Sequence, residues 1–203
     1  MTPPSKGTTM PMNRRIVLQS GAAAALALRA ARTAGAEPVP DADPVPTIPE
    51  QPTPGRPGDF EFLAGRWRIE NWKRRADQAG WDRFPGEATC WSILGGVGSV
   101  EELRIPVRGF SGMGLRLLDV EAGRWNDHWV NAKSGKLGPD GQPGSFENGV
   151  GIFWSEDIAD GRTTRYVGIW DRIERRACRW RQVWSTDGGR TWSHDWVMHW
   201  RRV

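Results

Sequence analysis

The sequence predicts an all-β domain over residues 59–203, an antiparallel up-and-down barrel of about ten strands, and three observations carry that prediction. The first is a rhythm of two. Trp125, Asp127, Trp129 and Asn131 alternate with Asn126, His128 and Val130, and Tyr166, Gly168 and Trp170 alternate with Val167 and Ile169. Trp180, Gln182 and Trp184 alternate with Arg179, Arg181 and Val183, and Trp196, Met198 and Trp200 with Val197, His199 and Arg201. Side chains that alternate in this way line opposite faces of strands. The second is punctuation: Leu94-Gly-Gly-Val-Gly98, Glu121-Ala-Gly-Arg124, Gly138-Pro-Asp-Gly141, Asp160-Gly161 and Asp187-Gly-Gly189 cut the chain into strand-length runs, as a meander of hairpins requires. The third is the 13 tryptophans, all within this region and several sharing a face with polar residues. A flat meander would leave two open edges, whereas closure removes them and gives large rings an interior to line or fill.

In chain order, Asp59-Phe-Glu-Phe-Leu63 reads as a single helical turn and strands follow at about 65–73, 86–93, 98–105, 112–119, 124–131, 143–148, 150–156, 162–171, 176–185 and 191–202. Gly65 opens the first run, and the glycine-rich turn at 94–98 separates the second from the third. The turn at 121–124 leads into the aromatic fifth run. Asp160-Gly161 divides the seventh from the eighth, and Asp187-Gly-Gly189 joins the last two.

Ahead of this domain the chain is of another kind. Met12-Asn-Arg14-Arg15-Ile-Val-Leu-Gln19, the small apolar run Gly21 to Leu28 and Ala34-Gly-Ala36 give a basic start, a hydrophobic stretch too short to span a bilayer and a cleavage-type ending. Residues 1–36 thus resemble a bacterial twin-arginine export signal, with Asn13, Val17 and Gln19 departing from its commonest form. This implies a periplasmic or secreted protein with no membrane attachment after cleavage. Residues 37–58 contain eight prolines and no aromatic residue, the composition of an extended solvated linker. Basic and acidic residues nearly balance over 59–203, so the domain shows no electrostatic footprint for nucleic acid. Cys90 and Cys178 allow a disulfide in an oxidising compartment, or two buried free thiols beside tryptophans, and their spacing suggests no zinc site.

Phe62-Leu-Ala-Gly65-Arg66-Trp67 resembles the Gly-x-Trp opening of the calycin barrels, which include lipocalins, fatty-acid-binding proteins and nitrobindin-like proteins. The wider series FLAGRW, ILGGVGSVEE, GMGLRLLD, RWNDHWV, SFENGVGIFW and STDGGRTWSHDWVMHW is similar to a group of uncharacterised bacterial exported proteins assigned to that class. The resemblance implies a barrel with an internal pocket, and Arg201 or Arg202 lying against Trp67.

The candidate chemistry follows from these patterns. STDGGRTW, residues 185–192, matches the Asp-box of sialidase propellers, but one copy cannot make a propeller, so Asp187 reads as the brace of a hairpin turn. Trp67, Trp91, Trp129, Tyr166, Gln182 and Trp184 are the expected ligand-binding residues of a tryptophan-lined pocket for a small apolar or aromatic molecule. An alternative is an enzyme on the same barrel, with Asp127 and Tyr166 as acid–base groups. A second alternative is haem held by His199, by analogy with nitrobindin-like barrels, although His199 alternates out of phase with Trp196, Met198 and Trp200. The sequence alone predicts no cofactor. Glu101 and Glu102 are adjacent and must face opposite sides of their strand.

Overall fold

Period-two alternation sustained through ten runs gives ten strands that each bury one face, and they bury it against one another by closing. The structure, a computed structural model, describes residues 43–203 apart from 77–78 and 160. The export signal expected at 1–36 lies outside the described residues. The strands are β1 (Gly65–Arg74), β2 (Trp81–Ile93), β3 (Gly98–Ile105), β4 (Phe110–Asp119), β5 (Arg124–Asn131), β6 (Gln142–Glu147), β7 (Val150–Ala159), β8 (Arg162–Asp171), β9 (Ala177–Ser185) and β10 (Ser193–Arg202). Each pairs antiparallel with its neighbours in the chain, and β10 returns to β1 with Trp67 opposite Arg202 and Ile69 opposite Trp200. The result is a closed up-and-down barrel.

Two local departures shape its wall. β2 begins at Trp81, earlier than the turn signals suggest, and runs through Pro85. Residues 81–86 pair with β1 alone, because contact with β3 starts at Glu87, so a residue without an N–H is tolerated on the unpaired side. β6 meets β5 only through Trp125, Asn126 and Asp127, which leaves the rest of β5, His128 to Asn131, unpaired on that flank.

The end where β1 starts is termed the lower end. There the expected helical turn forms as a short 3-10 element at Glu61–Leu63 and plugs the barrel with Phe60 and Leu63, which are 3% and 0% exposed. Phe60 meets Trp125 edge-on at 5.0 Å and Phe146 at 4.9 Å, distances at which aromatic pairs add to simple burial. Arg202 lies over the Trp67 ring at 4.2 Å and donates to the carbonyls of Phe62 and Ala64, so the last strand fastens the plug. Cys90 and Cys178 are buried free thiols in this lower core, where burial raises the pKa of both.

The solvated-linker reading of residues 37–58 needs correction for the part described. Residues 43–53 run as a strap along the outside of the wall, and 54–58 turn under its lower end against Trp125 and Leu118. Val45 and Ile48 pack on Val167, Ile169 and Val183, all fully buried on the outer face of β8 and β9. Asp43 accepts from Arg172 at 2.9 Å and Arg179 at 2.7 Å, and its carbonyl accepts from Arg181 at 3.0 Å. Further along, the Gly55 N–H donates to Gly123 and the Gly58 N–H to Gly96. Proline content excludes an independent fold, but an extended chain with two well-spaced aliphatic residues can still be bound by a wall that lacks a second layer.

Candidate functional site

The inward face divides into three levels. The lowest is sealed: Trp67, Trp125, Trp170 and Trp200 are at most 1% exposed, Trp67 donates its indole N–H to Leu63 at 2.7 Å, and Trp125 donates to Asp59 at 3.0 Å.

The middle level is ionic. On β4 the inward positions are Gly112, Gly114, Arg116 and Leu118. Arg116, 4% exposed, donates to Glu101 of β3 at 2.6 Å, lies 3.5 Å from Asp127 of β5, and sits over the Phe60 and Trp170 rings at 5.2 and 5.4 Å. Burial acts to discharge the guanidinium, but the carboxylates of Asp127 and Glu101 outweigh it and raise its pKa. Burial also raises the pKa of Asp127, with Arg116 opposing. A buried charge of this kind persists only because it is paired.

The upper level is aromatic and open. Phe84, Phe110, Trp129, Tyr166, Trp180, Gln182 and Trp184 face inward yet keep intermediate exposure. Trp129 stacks with Phe110 at 6.2 Å and 15°, and a Cβ on Gly112 would come within 2.2 Å of the Trp129 ring, so only glycine lets that indole lie flat against the wall. Trp180 meets Trp196 edge-on at 6.0 Å, and Trp196 donates to Asn71 at 3.1 Å. Lys73, paired with Asp195, stands 5.1 Å above the same Trp196 ring.

Strand register joins the levels. Arg116 is opposite Asp127, Asp127 opposite Gln142, Ser155 opposite Tyr166, and Tyr166 opposite Trp184. Gln142 donates to Ser155 at 3.0 Å, so a polar stripe crosses six strands from the buried ion pair to the mouth. The rest of the upper lining is largely aromatic. This is the composition of a small-molecule site: flat apolar surface with a few convergent hydrogen-bonding groups.

The expected site residues separate cleanly. Trp129, Tyr166, Gln182 and Trp184 stand together in the open upper half. Trp67 belongs to the sealed floor. Trp91, expected in the pocket, is on the outer face and 47% exposed, because Cys90 is the inward residue at that point of β2. His199 faces outward, its ring tilted against that of Trp72 with centroids 4.7 Å apart. Asp127 and Tyr166 both face the interior but are three strand spacings apart, about 14 Å along the wall; partial burial raises the tyrosine's pKa. The Arg116–Glu101 pair was missed by motif reading. Its signal was the run Gly112-Met-Gly-Leu-Arg-Leu-Leu118, where Arg116 keeps step with two glycines and a leucine.

The Asp-box turn closes β9 to β10 at the upper rim. Asp187 accepts from the Thr191 hydroxyl at 2.6 Å, the Ser185 hydroxyl at 2.8 Å and the N–H groups of Arg190 and Thr191 at 3.0 Å. Gly188 and Gly189 take φ of 76° and 89°, a region other residues rarely adopt. The Ser185, Asp187 and Thr191 side chains all hydrogen-bond within the turn itself.

No family model matches this sequence, and no curated protein matches it. Among solved structures the chain is similar to the S-type phycobiliprotein lyase CPES from Guillardia theta, at 10% identity with 71% of this chain and 90% of that chain covered and a TM-score of 0.43.

Proposed function

We propose that the barrel binds a small, flat, largely apolar or aromatic molecule through its upper end, without covalent chemistry, in the compartment to which a twin-arginine-type signal exports it. The observation that supports this reading is the contrast in exposure along one continuous inward face. Trp129, Tyr166, Trp180 and Trp184 remain accessible although burying such rings is the largest single gain available to a core. Beside Trp129 the pairing of β5 with β6 has already stopped. The stripe from Asp127 through Gln142 and Ser155 to Tyr166 orients the molecule by hydrogen bonds, while the aromatic groups supply the contact area.

The test is a titration with the neutral probe N-phenyl-1-naphthylamine, read by tryptophan quenching. Saturable quenching is expected, reduced at least tenfold by the paired substitution Trp129→Leu and Trp184→Leu with little loss of thermal stability. Quenching unaffected by that pair, or no quenching at all, would remove the proposal. Native mass spectrometry of purified protein then identifies whatever molecule it carries.

A further inference from the structure

We infer that the outer wall shared by β1 and β10 is a second binding site, for a phosphate-type oxyanion, distinct from the barrel interior and independent of what the interior binds. Arg68 and Arg201 are direct cross-strand partners, and both are exposed on the outer face. Like charges placed opposite each other in an antiparallel pair repel, and a neutral residue at either position would avoid the cost. Arg176 joins them from the loop after β8, held there by the N–H of Arg202 donating to its carbonyl at 2.9 Å. A surface depression is lined by these three residues together with Glu70, His199 and Arg202.

Two of the nearby carboxylates are already engaged. Glu70 pairs with Arg83. Glu87, opposite Arg68 on β2, is bound by Arg104 at 2.9 Å. No carboxylate among the described residues pairs with Arg68, Arg176 or Arg201. Arg202 spends its donors on three backbone carbonyls, but its charge adds to the field. Three planar guanidinium groups around one concavity, each with two-pronged N–H donors to offer, match the several oxygens of a phosphate group. The local conflict between Arg68 and Arg201 is relieved once an anion sits between them.

The experiment is calorimetric titration of the full chain with pyrophosphate in low-salt buffer, with a parallel co-sedimentation assay using phosphatidylglycerol–phosphatidylcholine vesicles. Saturable binding is expected, at least tenfold weaker in Arg68→Gln/Arg201→Gln and weakened again by about 0.5 M salt, where screening is short-ranged. Without anion, the same variant should melt at or above the wild-type temperature, since a repulsion has been removed; a structural role for the arginines would lower it. Arg176→Gln should show a smaller loss of binding. Binding to vesicles but not to pyrophosphate would identify the oxyanion as a lipid headgroup. Binding to neither, equal affinity in the double variant, or a variant that melts well below wild type would overturn the inference.

Discussion

The lower and upper halves of this barrel are built from the same strands and the same side-chain types, yet they finish differently. In the lower half four tryptophans are sealed by a plug that accepts from two of them, Leu63 from Trp67 and Asp59 from Trp125, and that Arg202 fastens through the plug's carbonyls. In the upper half no plug exists among the described residues, and comparable rings stay accessible around a polar stripe. Aromatic content alone therefore says little about role. What separates a core tryptophan from a binding one is whether a second segment covers it.

Substitutions can break this contrast or sharpen it. The largest effect belongs to the sealed half: Trp125→Ala should lower stability by about 4 kcal/mol, measured by urea denaturation, because a fully buried ring and its bond to Asp59 are both lost. At the boundary between the halves, Glu101→Ala should cost about 3 kcal/mol by the same measurement, as it leaves Arg116 buried with only the 3.5 Å contact to Asp127. On the outside of the wall, Val45→Ser with Ile48→Ser should cost about 1–2 kcal/mol and increase binding of an apolar dye to the exposed face of β8 and β9.

The smallest effect lies at the upper rim. Hydrogen bonds from the Thr191 side chain, the Thr191 N–H and the Ser185 hydroxyl hold the Asp187 carboxyl well below the usual carboxylate range. Its stabilising contribution is therefore complete above the ordinary unfolded value near ~3.9 and is lost as the pH falls toward the depressed folded value. Asp187→Asn should melt slightly lower than wild type at neutral pH, and the two melting curves should converge as the pH drops below about 4. Probe binding in the upper half should be unchanged, since the Asp187 carboxylate is engaged within the turn.

Much of the fold was legible in the sequence because strands advertise themselves twice, by alternation and by turn residues. All ten runs correspond to strands, and the inward phase of β5, β8, β9 and β10 follows from their aromatic rows. Phase was ambiguous where aromatic residues did not repeat. β2 has a single tryptophan in its second half, and Trp91 faces solvent while Cys90 faces in. The strap was illegible because its anchor is distant in sequence: Asp43 finds arginines more than a hundred residues away, and nothing in the segment's own composition signals a partner. The Arg116–Glu101 pair escaped for a similar reason, since a buried charge is recognisable only once its counter-charge is known to face it.

The most direct measurement of the central claim is a two-dimensional NMR titration that follows the indole N–H signals of the 13 tryptophans as N-phenyl-1-naphthylamine is added. The signals of Trp129, Trp180, Trp184 and Trp196 should move together and saturate, while those of Trp67, Trp125, Trp170 and Trp200 in the sealed half and Trp91 on the outer wall stay in place. Saturating shifts confined to Trp91 or to the sealed four, with Trp129 and Trp184 unmoved, would contradict the account.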